Sequence, residues 1–209
     1  MAKNPGMAIV KGVLSYPHLF EKVAVRDSQG NPQGNPAYSC SVIIDKKDAK
    51  TLEALKAAID HAIHQGKEKF NWTDAVVNGK KFNYPLKDAD EEKVGDKDYD
   101  KVYKGKMFIN ARNQKDMPQI VDIHKDPLED ERDIYAGCLV RVSVVAFAFD
   151  KGVNKGISLS LHNVQKLADG ERLGGGATNA SDDFDDVDDE TMVEANAFAS
   201  AAAEAADYL

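Results

Sequence analysis

CLVRVSVVAFAF, residues 138–149, alternates with the two-residue period of a β-strand and so presents two chemically different faces. Val140, Val142, Val144, Ala146 and Ala148 make one small apolar face, suited to the interior of a closed barrel. Leu139, Arg141, Ser143, Val145, Phe147 and Phe149 make the other. Two rings and a cation opposite an adequate core face are what a base-stacking surface requires: a ring takes the π-face of a base, and an Arg neutralises phosphate or stacks. The competing reading buries both rings under a helix or loop, since packed aromatics need no functional reason.

Working outward, residues 157–165 (ISLSLHNVQ) read as the next strand, joined to the first through the DKGVNKG turn as a hairpin. Upstream, 106–112 (KMFINAR) and 119–124 (QIVDIH) read as strands, as do MAIVKGVLSY at 7–16 and Tyr38 to Ile44. Between the last two, DSQGNPQGNP (27–36) holds two Gly-Asn-Pro steps that deny backbone donors and predict a flexible loop or hairpin tip. After Asp45 to Asp48, Leu52, Leu55, Ile59, Ala62 and Ile63 recur at helical spacing, predicting one amphipathic helix that ends near Gly66. Residues 66–105, rich in Lys, Asp and Gly, predict short strands and long loops. Many short strands with a single helix favour a mainly β fold, a small β-barrel of the OB type, because a parallel layered sheet needs a helix between successive strands.

The 106–112 strand repeats the two-faced arrangement. Met107, Ile109 and Ala111 share one side, and Lys106, Phe108, Asn110 and Arg112 the other, with Lys104 extending the basic face. Tyr16, Phe20, Lys22 and Arg26 near the first strand, and Lys151 and Lys155 around the 150–156 turn, are further candidates for contact with a nucleic-acid strand. The candidate DNA-binding set is therefore Tyr16, Phe20, Lys104, Lys106, Phe108, Asn110, Arg112, Arg141, Phe147, Phe149 and Lys151.

Charge is distributed unevenly. The chain has 209 residues, 27 basic against 35 acidic, for a net charge of −8. Residues 177–209 hold ten of the acids and no Lys or Arg, so removing those ten leaves 25 acids against 27 bases, a net of +2, in residues 1–176. A slightly basic domain over residues 1–173 is thus tied, at the triple glycine 174–176, to an acidic tail that composition predicts to be disordered, residues 174–209. Asp182, Asp183, Asp185, Asp186, Asp188, Asp189 and Glu190 supply a dense polyanion, and Phe184, Phe198 and Tyr208 supply apolar anchors for a partner protein. Such a segment can compete with DNA for a basic groove and, once displaced, be offered to partners.

Catalytic signals are poor. There is no Walker loop, dinucleotide fingerprint, zinc-ligand cysteine pattern or HExxH helix, so neither an enzyme nor a cofactor or metal is expected. His61 and His64 lie one turn apart on the predicted helix without a second ligand pair. Cys40 and Cys138 fall in apolar strand-like runs and read as buried reduced thiols, which suits a reducing cytosol. No apolar run approaches the ~18 residues of a membrane span, and the N-terminus does not read as a signal peptide. Two alternatives stand beside strand binding: a metal-dependent DNA-processing enzyme using Asp122, Glu129 and Asp133, and an interaction module or DNA mimic acting through the tail.

YAGCLVRVSVVAFAFDKGVNKGISLSLHNVQKLADGERLGGG (135–176), followed by an acidic tail, resembles the single-stranded DNA-binding proteins of tailed phages, a divergent OB-fold group. The similarity extends over the body, including the Gly-Asn-Pro loop and the helix after the second strand. It implies a sequence-independent protein that coats exposed single strands in phage replication, recombination and repair, in the cytoplasm of a bacterial host. Its tail would recruit phage or host replication and recombination proteins. The chain departs from the family in placing Tyr208 before a terminal Leu209 and in separating the main acidic cluster from the end by an Ala-rich segment.

Overall fold

Apolar alternation in the two longest hairpins builds the barrel wall. A computed structural model describes residues 4–26, 29–92 and 101–173, with strands β1 (Met7–Arg26), β2 (Pro32–Asp45), β3 (Phe82–Asn83), β4 (Leu86–Asp88), β5 (Lys106–Asn113), β6 (Gln119–Val121), β7 (Leu139–Lys151) and β8 (Asn154–Ala168). Strand β1 pairs antiparallel with both β2 and β7, β2 with β5, and β7 with β8. A short parallel pairing, Ala111 with Leu159 and Arg112 with Ser160, joins β5 to β8 and closes a five-stranded barrel. That closure and strand order are those of an OB-type barrel. Strands β3 and β6 flank β8, and β4 flanks β5. The apolar face read from 138–149 points inward: Val140, Val142, Val144 and Ala146 are buried with Val10, Val42, Ile109, Leu159 and Leu161. Cys40 and Cys138 are also buried, and burial pushes the Cys40 thiol up to about 12, which leaves it inert.

Helix α1 (Ala49–Phe70) packs Leu55, Ala58, Ile59 and Ala62 onto the barrel, and burying each of the two larger side chains contributes about 1.5–3 kcal/mol. Asp48 caps it, accepting from the Thr51 backbone N–H at 3.1 Å and the Thr51 hydroxyl at 2.8 Å. The helix does not stop at Gly66, as the sequence predicts, but runs on to Phe70 and ends at Asn71, whose φ of 55° is left-handed. Gly66 is there for packing: a Cβ at this position would lie 2.2 Å from Cζ3 of Trp72. Trp72 stacks on Phe70, meets Phe82 edge-on and donates its indole N–H to Asp150 at 2.8 Å. A second helix, α2 (Asp74–Val77), follows at once.

A hairpin does join the first two strands, but the predicted extent of its tip, 27–36, is corrected, since residues 32–36 are strand. Strand β1 continues past Tyr16 to Arg26, and β2 begins at Pro32, so the two form a long arm. Prolines are tolerated because β2 reaches its second neighbour, β5, only from Tyr38 onward, leaving residues 32–37 paired on one side. Strand β1 can turn from the barrel into the arm because its register slips between Ser15 and His18. Leu14 and Ser15 are both buried, which breaks the alternation, and Tyr16 takes φ of 45°. Holding a non-glycine residue there costs about 1–3 kcal/mol.

Candidate nucleic-acid interface

A cleft of about 760 Å³ opens on the β2–β5 side of the barrel. Strand β1 contributes Tyr16, His18 and Val23, β2 contributes Ser39 and Ser41, and β5 contributes Phe108, Asn110 and Arg112. Asn83, Lys87, Tyr103 and Ser158 complete the walls. In OB-type barrels this second-and-third-strand face is the one that takes oligonucleotides. The β5 face that alternation singled out therefore does line a groove, and Tyr16 joins it.

Its members differ in what they can offer. Phe108 is only 5 % exposed and packs edge-on against Tyr103, with ring centroids 5.5 Å apart, in a small cluster with Ile43. It forms the floor rather than an open platform. Asn110 is exposed, and its Oδ1 accepts from the Ser41 hydroxyl at 2.5 Å, which leaves the amide N–H groups as donors toward the cleft. Arg112 donates from Nη2 to the Asn35 carbonyl at 2.9 Å, which ties the arm to the barrel. Its Nε is buried without a hydrogen-bond partner, a local cost to the fold. Lys106, by contrast, is committed to Asp45 at 2.6 Å, and that hydrogen bond holds the Asp45 carboxyl below its ordinary range. The neighbouring Lys46 is likewise divided between Asp88 at 2.8 Å and Asp90 at 2.9 Å. Lys104 is exposed at the turn before β5.

The β7 face goes elsewhere. In the closed wall β7 neighbours β1 and β8, not β5, so Arg141, Phe147 and Phe149 do not share a platform with Phe108. Arg141 donates through Nε to Gln165 at 3.1 Å on the outer wall. Phe149 is half-buried opposite Gly156, and Lys151 is exposed at the β7–β8 turn. Phe147 is 42 % exposed and pairs across to Ser158, the β8 residue on the cleft rim, so of the β7 rings it is the one nearest the groove in register. Phe20 lies away from the cleft, in a recess with Glu129, Asp130 and Glu131 that would repel phosphate. Alternation misses His18, which lies past the end of the predicted first strand, and passes over Ser39 and Ser41, which fall in the predicted strand but carry neither ring nor charge. The tail residues Asp182, Asp183, Phe184, Asp185, Asp186, Asp188, Asp189, Glu190, Phe198 and Tyr208 lie outside the described residues.

Of the carboxylates of the enzymatic alternative, Asp122 is occupied in a turn. Asp122 accepts backbone N–H bonds from His124 at 2.8 Å and Asp126 at 2.9 Å, the latter being the main reason its carboxyl is held low. Among the described residues no three His, Cys, Asp or Glu side chains are grouped to hold a metal ion.

A barrel with this cleft has close relatives in sequence. The family described as Enterobacter phage Enc34, ssDNA-binding protein matches residues 7–194. The chain belongs to this family. Among curated proteins, protein p50 of Acyrthosiphon pisum secondary endosymbiont phage 1 is 31% identical over 179 residues, covering 83% of this chain and 89% of that one. Among solved structures, the single-stranded DNA-binding protein from bacteriophage Enc34 in complex with ssDNA matches at a TM-score of 0.60 and 26% identity, over 83% of this chain and 97% of that one. The same phage's protein in a second structure matches at a TM-score of 0.59 and 24% identity, over 88% and 97%. The family is one of non-enzymatic strand binders, which corrects the metal-dependent alternative.

Proposed function

We propose that this chain binds single-stranded DNA, with little regard to sequence, in the β2–β5 cleft. The observation that carries the reading is that cleft itself, about 760 Å³ and lined by Tyr16, His18, Asn110 and Arg112, in a chain of the Enc34 family. Aromatic and cationic groups at one groove serve sequence-tolerant binding, because every base has a π-face and every nucleotide a phosphate. Lys104, Lys151 and Phe147 extend the contact surface beyond the cleft, with Arg141 on the outer wall as a peripheral cation. Lys106, Phe108, Phe149 and Phe20 serve the fold.

The acidic segment 177–209 is the second element of the proposal. A run from Asp182 to Glu190 competes with DNA for the cleft and, when DNA displaces it, recruits replication and recombination proteins of phage or host through Phe184, Phe198 and Tyr208. The protein then acts on exposed strands during phage replication, recombination and repair in the host cytoplasm.

A fluorescence titration with oligo-dT at two salt concentrations, on the full chain and on a chain lacking residues 177–209, tests both elements. The expected result is salt-weakened binding that tightens on truncation, with far weaker binding to duplex. Absence of oligo-dT binding by the truncated chain at low salt refutes the cleft, and unchanged affinity on truncation refutes the competition.

A further inference from the structure

We propose that residues 169–173, which follow β8, form a clasp that positions the cleft for DNA. The clasp fastens the root of the β1–β2 arm on one side and the Phe108 floor on the other. Opening it weakens DNA binding, and DNA in the cleft holds it shut. This rests on the cleft being the DNA site.

The clasp is built on one turn, residues 135–137. Leu173 donates its backbone N–H to the Ala136 carbonyl at 2.9 Å. The Tyr135 hydroxyl donates to Oδ1 of Asp169 at 3.0 Å, with the Gly170 carbonyl 3.1 Å away, and the Arg172 guanidinium sits 3.9 Å from the centroid of the Tyr135 ring. Two glycines let the backbones touch. A Cβ on Gly137 would fall 1.9 Å from the Glu171 carbonyl oxygen, and one on Gly170 would fall 2.2 Å from the Gly137 carbonyl oxygen.

Both walls of the cleft depend on this turn. Gly137 donates to the Leu14 carbonyl at 2.8 Å, and Leu14 to the Cys138 carbonyl at 2.9 Å, just before β1 leaves the barrel for the arm. Tyr135, Ala136 and Arg172 face the arm across a recess of about 390 Å³. His18 and Val23 line that recess and the cleft as well, so this stretch of the arm separates the two. At its other end the clasp sets Leu173 against the cluster of Ile43, Tyr103 and Phe108, which floors the cleft. Residues 169–173 themselves line no part of the cleft, so they act through position and not through contact with the strand. Their side-chain bonds are exposed, which makes opening a local event that leaves the barrel intact. A segment with two arrangements, each favouring a different state of the cleft, is what coupling requires.

Gly170→Ala opens the clasp with a steric wedge and no change of charge. In the full chain it should weaken oligo-dT binding by at least about fivefold, and the slope of affinity against salt should not change, because no phosphate contact is lost. Leu173→Ala, which removes the prop under the floor, should act in the same direction, whereas Leu173→Met should bind within about twofold of the parent. Hydrogen exchange gives a readout that a merely structural segment would not move. Saturating oligo-dT should slow exchange of the Leu173 amide by a factor similar to the affinity lost in Gly170→Ala, because coupling is reciprocal. A Leu173 amide whose exchange is the same with and without DNA overturns the proposal. So does oligo-dT binding within about twofold of the parent by both Gly170→Ala and Leu173→Ala. If Arg112→Ala weakens binding and these two variants do not, the cleft stands and the clasp alone falls. If the parent itself does not bind oligo-dT, the cleft reading fails first and takes the clasp with it.

Discussion

Phe108→Ala separates floor from platform, and its cost can be worked from the packing. The ring is 5% exposed, contacts Tyr103 edge-on at 5.5 Å and belongs to a cluster of three buried side chains apart from the main core. Truncating a buried Phe costs about 3–5 kcal/mol, and the lost edge-on pair accounts for about 0.5–1.5 kcal/mol of such a loss. The cluster is small and borders an open cleft, so the lower end applies, about 3 kcal/mol. For a domain of this size each kcal/mol shifts the melting temperature by about 2–4 °C, which gives a drop of about 6–12 °C. Phe147→Ala is the control: at 42% exposure it should lose about 1 kcal/mol and about 2–4 °C. Thermal melts of DNA-free protein followed by circular dichroism measure both, and oligo-dT titration well below each midpoint measures binding separately. A Phe108→Ala variant that melts within about 2 °C of the parent yet binds DNA poorly refutes the assignment of this ring to the floor.

Other substitutions test other parts of the argument. Arg112→Ala should flatten the salt dependence of oligo-dT affinity by about 0.7 in log–log slope, whereas Lys106→Ala, whose charge is already matched by Asp45, should leave it nearly unchanged. Gly66→Ala, usually stabilising by about 1 kcal/mol in a helix, should here destabilise by about 1–3 kcal/mol, because the added Cβ falls 2.2 Å from the Trp72 ring; a denaturant melt decides the sign. Asp48→Ala should cost about 1 kcal/mol at neutral pH through loss of the α1 cap. The Asp48 carboxyl is held below its ordinary value, chiefly by the Thr51 N–H, so its contribution is complete above the unfolded carboxylate range and disappears as pH falls through the folded value. The gap between parent and Asp48→Ala should therefore narrow below about pH 4 in urea melts.

Period-two alternation located the strands and put Val140, Val142 and Val144 inside, because a wall with one apolar face leaves a single way to point. It also found the β5 side of the cleft. What alternation cannot supply is which outward faces meet around a closed wall, and for that reason Arg141 and Phe147 read as partners of Phe108 although β8 lies between them. Two further differences come from tertiary context overriding a local rule. Proline ends a strand only where both sides must pair, and β2 needs one side at Pro32 and Pro36. Glycine ends a helix unless something large sits against it, and Trp72 sits against Gly66. Nor does sequence distinguish a free cation from a neutralised one, since Lys106 and Asp45 lie far apart in the chain and meet only through the β2–β5 register.

The pairing of β1 with β7 sets the order of assembly on the ribosome. Met7 to Val13 find their partners only at Leu139 to Val145, and the barrel closes only when Leu159 and Ser160 reach β5. Until then β1, β2 and β5 form an open sheet whose apolar face, with Val10 and Val42, lacks its closing strands. Such contact order slows folding and exposes an unpaired, apolar strand edge to other nascent chains. A chain cut short before β8 therefore does not make a weaker version of the groove. It makes an unclosed sheet, β7-β1-β2-β5, with bare strand edges at β5 and β7.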